Sequence, residues 1–214
     1  APTAPSNAVS VAAAANGVNA AEKVAGVVVA VNLTGTNAVA NDQIEILLGG
    51  AAFTTPIYHV LTAAEITAGT ANATIDSSAG WGTDGVKTIS ARVIDIAGNL
   101  STSGGSLTTT LDTAMPAASG LPVYVDVDSS GTKNVGDTYR FTISEATNKA
   151  IVIGNVTLNN AHIFGTGATA SWSVDGTQLT VTLGTSATIA TGDIVTLVGV
   201  SDLAGNSLNL AFSV

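Results

Sequence analysis

The pentapeptide Asp95-Ile96-Ala97-Gly98-Asn99 returns as Asp202-Leu203-Ala204-Gly205-Asn206, an offset of 107. In both places it follows a β-branched run and precedes a polar stretch containing Ser. A looser echo links Thr3-Ala4-Pro5 to Thr113-Ala114-Met115-Pro116. A period of about 107 to 112 residues implies two structural repeats rather than one continuous core. An X-Ala-Pro stretch disfavours helix and suits an extended connection. The boundary is therefore expected between Asp112 and Leu121, giving domains 1–115 and 116–214.

Within each half, short β-branched runs alternate with turn chemistry. Val27 to Val31, Gln43 to Leu48, Lys87 to Ile94, Tyr139 to Ile143, Gln178 to Leu183, Asp193 to Val198 and the apolar stretch Leu208 to Val214 read as strands. In the third, Ile89, Ala91 and Val93 oppose Thr88, Ser90 and Arg92, the period of two that a half-buried strand requires. Clusters of Gly, Asn, Asp and Ser separate the runs, because these residues hydrogen-bond locally or accept positive φ. Leu61 to Ile66, with Thr62 followed by Glu65 as in a capping box, and Asn19 to Lys23 are two places where a short helical turn competes with a structured loop. The expected fold is all-β, two sandwiches in tandem.

Composition narrows the chemistry. Six Lys and Arg face fifteen Asp and Glu, a net charge of −9. A chain so charged has no basic patch to displace counterions from phosphates, so nucleic acid is not an expected partner, nor is anionic lipid. Hydrophobic residues make up 46% of the chain, too many for disorder, yet aromatics only 4%, so the core must be built largely from Ala and Val. There is no cysteine, which excludes disulfides, thiolate nucleophiles and Cys-based zinc sites. The longest uncharged run, 150–174, is interrupted by Asn155, Asn159, Asn160, His162 and several Gly, so no membrane insertion is expected. The chain holds no Gly-Xaa-Ser-Xaa-Gly elbow, phosphate loop or His-Glu-Xaa-Xaa-His pair, and no enzymatic activity is expected. His59 and His162 stand one in each half, which argues against a joint metal or catalytic pair.

At its motifs the sequence resembles the tandem bacterial immunoglobulin-like repeats of large secreted surface proteins, among them type I secreted adhesins and surface-layer (S-layer) proteins. In the first half the matching stretches are Val18 to Glu22, Tyr58 to Ile66, Trp81 to Gly85, Asp95 to Asn99 and Leu111 to Ala114. In the second they are Asp126 to Asp128, Gly136 to Thr138, Phe141 to Glu145 and Asp202 to Asn206. The resemblance implies two immunoglobulin-like β-sandwiches and a place on the bacterial cell surface. It also implies a structural role, as a spacer or lattice-forming module. Residue 1 begins inside what looks like the end of a linker, so the chain reads as a segment of a longer repeat array.

Acidic residues at strand ends are the candidate sites. Calcium takes six to eight oxygen ligands at about 2.3–2.6 Å. Asp126, Asp128 and Asp137 are expected to form one such site, with Glu145 and Asp202 supplying further carboxylates in the second half. In the first half the candidates are Glu22, Asp95 and Asp112, the last at the boundary. The competing reading is that Asp and Asn at these places only close turns on their own backbone. Calcium ions and neighbouring repeats of the same chain are the expected partners. Two further readings remain open. Trp81, in Gly80-Trp81-Gly82, and Trp172 are expected to pack over a sandwich end; in the competing reading they offer faces on which a glycan can stack, as in the carbohydrate- or receptor-binding module of an adhesin. Ala8 to Ala12, or the C-terminal strand, offers an edge for self-assembly into filaments.

Overall fold

Alternation becomes burial in the β-branched runs: the Val27–Asn32 segment turns Val27, Val29 and Val31 inward and Val28 out. The computed structural model describes residues 1–7 and 9–214, and its residue contacts divide the chain into two compact units, Ala1–Ala114 and Met115–Val214. Ala8, within the Ala8 to Ala12 edge segment, lies outside the described residues.

Unit 1 contains β1 (Ser10–Val11), β2 (Val27–Asn32), β3 (Gln43–Leu48), β4 (Ala51–Val60), β5 (Thr70–Ile75), β6 (Gly85–Ile94) and β7 (Gly104–Leu111). They form an antiparallel sheet ordered β1-β2-β5 and a second ordered β4-β3-β6-β7. Val29, Val31, Ala73 and Ile75 of the first sheet share one apolar cluster with Ile44, Ile46, Ile89 and Ala91 of the second. Trp81 closes that cluster, meeting Phe53 edge-on with ring centroids 5.8 Å apart. Pro56 sits in β4, an edge strand, where its missing N–H leaves no ladder bond unmade. The register of β3 against β4 shifts between Ile46 and Leu47.

Both candidate helical turns are helices, α1 (Ala20–Ala25) and α2 (Ala63–Ala68). Each begins with a reciprocal capping box. Asn19 accepts from the Glu22 N–H and Glu22 from the Asn19 N–H. Thr62 and Glu65 do the same at α2. Such caps stabilise a short helix by about 1 kcal/mol.

Unit 2 contains β8 (Val123–Val125), β9 (Thr138–Thr142), β10 (Val156–Leu158), β11 (Thr169–Trp172), β12 (Gln178–Thr182), β13 (Ile194–Ser201) and β14 (Ser207–Ser213). Its antiparallel sheets are ordered β11-β12-β9-β8 and β10-β13-β14. Phe141, Leu179 and Val181 pack with Val195, Leu197 and Phe212 in a second apolar cluster. Full burial of each such side chain contributes about 1.5–3 kcal/mol. The fold is therefore all-β, with antiparallel sheets and few helical turns.

Candidate metal centre in the β8–β9 loop

The Val125–Thr138 pair at the end of the β8–β9 ladder brings both ends of segment 126–137 together. This fixes Asp126 and Asp137 at the mouth of one loop. Within it Ser129 (φ 58°), Gly131 (φ 74°) and Gly136 (φ 97°) take positive φ, which curls the backbone so that its N–H groups point inward. Asp126 accepts from the Ser130 N–H at 3.1 Å and the Gly131 N–H at 2.7 Å. Asp128 accepts from the Ser130 N–H at 3.0 Å and from Asn134 Nδ2 at 3.1 Å.

Asp137 is the hub. It is fully buried, and its Oδ1 accepts from the Val127 N–H at 2.9 Å. Its Oδ2 accepts from the Asn134 N–H at 2.9 Å and from the Tyr124 hydroxyl at 2.6 Å. Tyr124 in turn packs against Tyr139, with centroids 5.3 Å apart, and the Lys133 ammonium lies over both rings. The loop is thus tied to the core of unit 2.

Asp126, Asp128 and Asp137 each present a carboxylate oxygen within 4.8 Å of the other two. Electrostatics keeps Asp128 and Asp137 charged. The Tyr124 hydroxyl, then the Asn134 and Val127 N–H groups, hold Asp137 below the usual carboxylate range. The Ser130 hydroxyl and N–H, then Asn134, do the same for Asp128. Burial, and then Asp137 itself, push the Tyr124 hydroxyl upward, so it stays a donor. Hard cations require ionised ligands of this kind.

Three further ligand-bearing residues escaped the reading of the sequence. Counting from Asp126, oxygens fall at positions 1 (Asp126), 3 (Asp128), 5 (Ser130), 9 (Asn134) and 12 (Asp137), with Gly131 at 6 and the Thr132 carbonyl at 7. This is the spacing of the EF-hand calcium loop, here joining two strands. It departs from that pattern in carrying Ser at the fifth place and Asp at the twelfth. Asn134 Oδ1 fits a cation: it is shielded from solvent and has no hydrogen-bond partner. The Nδ2 of the same amide faces Asp128 and Ser130. A half-turn of the amide would aim its oxygen at the Asp128 carboxylate and the Ser130 hydroxyl, an arrangement that a cation held beside Asp128 would stabilise.

The remaining candidates divide. Asp202 is buried, and a carboxylate oxygen of Glu145 lies within 4.8 Å of one of its own. Asp202 also closes its own turn: Oδ1 accepts from the Gly205 and Asn206 N–H groups at 2.6 and 2.9 Å, and Oδ2 from Asn206 Nδ2 at 2.7 Å. Asp95 makes the equivalent bonds to the N–H and Nδ2 of Asn99, both at 2.8 Å, and the Asn99 side chain, then its N–H, lowers the Asp95 pKa. The repeated pentapeptide is therefore one self-closed turn made twice.

Glu22, Asp95 and Asp112 do not converge on one another among the described residues. Glu22 is engaged in the cap of α1, Asp95 in its own turn. Asp112 accepts from the Ala114 N–H at 3.2 Å, two residues on.

Both histidines are held by acids. His59 Nε2 lies 2.7 Å from Glu65 and His162 Nδ1 2.7 Å from Asp193. Asp193 is buried, and the Ala190 N–H, followed by His162 and Asn160, brings its pKa down to about 2. A buried Glu45 pairs with its cross-strand neighbour Arg92 at 2.7 Å. Trp81 is only 1% exposed, so it packs in the core, the first of its two readings, and has no face for a sugar. Flanking glycines let the chain turn while the indole enters the core. Trp172 is half-buried, and its Nε1 donates to the Ile151 carbonyl at 3.0 Å.

No protein-family profile and no curated protein sequence matches the chain. Solved structures do. One, of a 1.5-MDa bacterial ice-binding adhesin, aligns with a TM-score of 0.50 and 21% identity over 97% of this chain. A calcium-stabilised, ice-binding adhesin of an Antarctic bacterium aligns at 0.49 and 20% over 98%. A tetra-tandem repeat from the extending region of a large adhesion protein aligns at 0.34 and 20% over 97%. The chain spans 63% of the first of these, 49% of the second and 48% of the third. At such identities the likeness is one of fold, carried by the first of the three.

Proposed function

We propose that this chain is a structural module of a bacterial cell-surface adhesin: two immunoglobulin-like sandwiches in tandem, acting outside the cell as a spacer rigidified by calcium. A surface-layer protein is a related setting for the same module. The fold likeness to an adhesin structure supports this reading. Among the described residues no helix is long and apolar enough to cross a membrane.

The observation that carries the calcium part is the 126–137 loop, where six oxygen-bearing positions in calcium-loop order include the unpartnered Asn134 Oδ1. Calcium bound there would crosslink the two ends of a hairpin connection in a chain that has no cysteine to do so. Binding to the folded state alone stabilises it by about 2.7 kcal/mol at a hundredfold excess over Kd. Extracellular calcium modules bind at about 10⁻⁴ to 10⁻³ M, so the test must reach millimolar ion. Glu145 and Asp202 are the candidate ligands of a second ion.

The deciding experiment is a calorimetric and thermal-melting titration of the metal-stripped chain with calcium and, in parallel, magnesium. Calcium should raise the melting temperature of wild type, and Asp126→Asn/Asp128→Asn should remove most of that rise. No heat and no shift at millimolar calcium would defeat the proposal.

A further inference from the structure

Exposed strand edges in soluble proteins are normally blunted by charge, proline or brevity. β14 has none of these. It runs seven residues, Ser207–Ser213, at the edge of its sheet, and β10, β13 and β14 together carry no Asp, Glu, Lys, Arg or Pro. Ser207, Leu208, Asn209, Ala211 and Ser213 are exposed. The acidic residues of unit 2 lie in its loops and turns.

The main chain shows which groups are unused. The Val214 N–H donates to the Asp193 carbonyl, and the Val214 carbonyl accepts from the Gly192 N–H. Val214 therefore faces β13. Orientation alternates along an antiparallel strand, so Phe212 and Leu210 face β13 as well. Asn209, Ala211 and Ser213 then turn their N–H and C=O groups to the open side. Across from β13, Ala211 pairs with Thr196 and Ser213 with Ile194, which leaves an outer face of uncharged side chains.

We propose that this edge is an association surface for a second copy of the chain, two β14 strands pairing antiparallel about a two-fold axis near Ala211. Charge argues for that occupant. With a net charge of −9, two copies repel wherever their acidic loops meet, and an uncharged edge allows close approach without bringing carboxylates together. A charged partner gains nothing from it. A second β14 is matched in length, alternation and polarity, and an isologous contact closes at two copies. The result is a lateral link between copies, distinct from any joint along one chain.

The test is sedimentation of the full chain across concentrations up to the millimolar range, with and without calcium. Wild type should show a monomer–dimer equilibrium that added salt does not weaken. Ala211→Pro removes an edge N–H that the β13 ladder does not use, and by symmetry removes it twice. Dissociation should be at least about tenfold easier, with an unchanged melting temperature. Ala211→Lys sets two ammonium groups against each other and should weaken the dimer in a salt-dependent way; it serves alone if the proline variant does not fold. A monomer at every concentration, open-ended oligomers, or a dimer that survives both substitutions would overturn the proposal. Each of these outcomes leaves the calcium titration, and so the reading of the loop, unaffected.

Discussion

The Tyr124 hydroxyl donates to Oδ2 of Asp137 across 2.6 Å. This one bond joins the first strand of unit 2 to the last acid of its loop. Hydrogen bonds to charged groups contribute about 1.5–3 kcal/mol. Tyr124→Phe should therefore lower the stability of unit 2 by that amount in chemical denaturation, and weaken its response to calcium, because Asp137 loses the contact that positions it. An unchanged denaturation midpoint would show the bond to be incidental.

Asn134→Asp should change sign with the ion. Without calcium the substitution removes two donated bonds, to Asp128 and Ser130, each contributing about 1 kcal/mol, and adds a carboxylate beside another. The chain should melt lower. With calcium the new carboxylate is a stronger ligand than an amide, and the variant should gain more from the ion than wild type does. Melting curves in chelator and in millimolar calcium read both effects.

Acid should destabilise unit 2. Asp128, Asp137 and Asp193 all have depressed folded-state pKa values, Asp193 down to about 2, against an ordinary value of about 4. A depressed acid contributes stability above its unfolded pKa and loses it as pH falls through the folded one. The melting temperature should hold at neutral pH and fall from about pH 4 toward pH 2. Asp193→Asn should flatten part of that slope. A thermal profile level down to pH 2 would refute the assignment.

Trp81→Ala should cost about 3–5 kcal/mol, as expected for a large aromatic removed from a packed core. In wild type, the Trp81 component of the fluorescence should be blue-shifted and unresponsive to sugars. Saturable quenching that disappears in Trp81→Phe would revive the glycan reading.

Much of the fold was legible because its signal is local. The runs at β2, β3, β6, β9, β12 and β13 are dense in apolar and β-branched residues, β6 with a clear period of two, and the Thr62–Glu65 capping box announces itself by two residues three apart. β5, Thr-Ala-Asn-Ala-Thr-Ile, and β7, Gly-Gly-Ser-Leu-Thr-Thr-Thr-Leu, carry too few large apolar residues to register. Their strand character comes from the neighbours they pair with, which no short window contains. β4 was obscured by Pro56, which is tolerated there because the strand lies at an edge.

The loop divides the same way. Asp126, Asp128 and Asp137 drew attention by charge and by their place in the resemblance, whereas Ser130 and Asn134 are ligand-bearing only by their count from Asp126 and the Gly131 turn between them. The spacing was present in the sequence and a count along it would have found them. Tyr124 was not visible in that way, since its role depends on a bond across a hairpin.

Ile96 and Leu203, the variable second residues of the two pentapeptide turns, are 81% and 62% exposed, while each turn is held shut by its own first and last members. The turn is the same whether it stands in solvent, as at 96–99, or is buried, as at Asp202, Ala204 and Asn206. Because the bonds that close it run between its own first and last members, the same five letters can punctuate this chain at an open rim and again under cover.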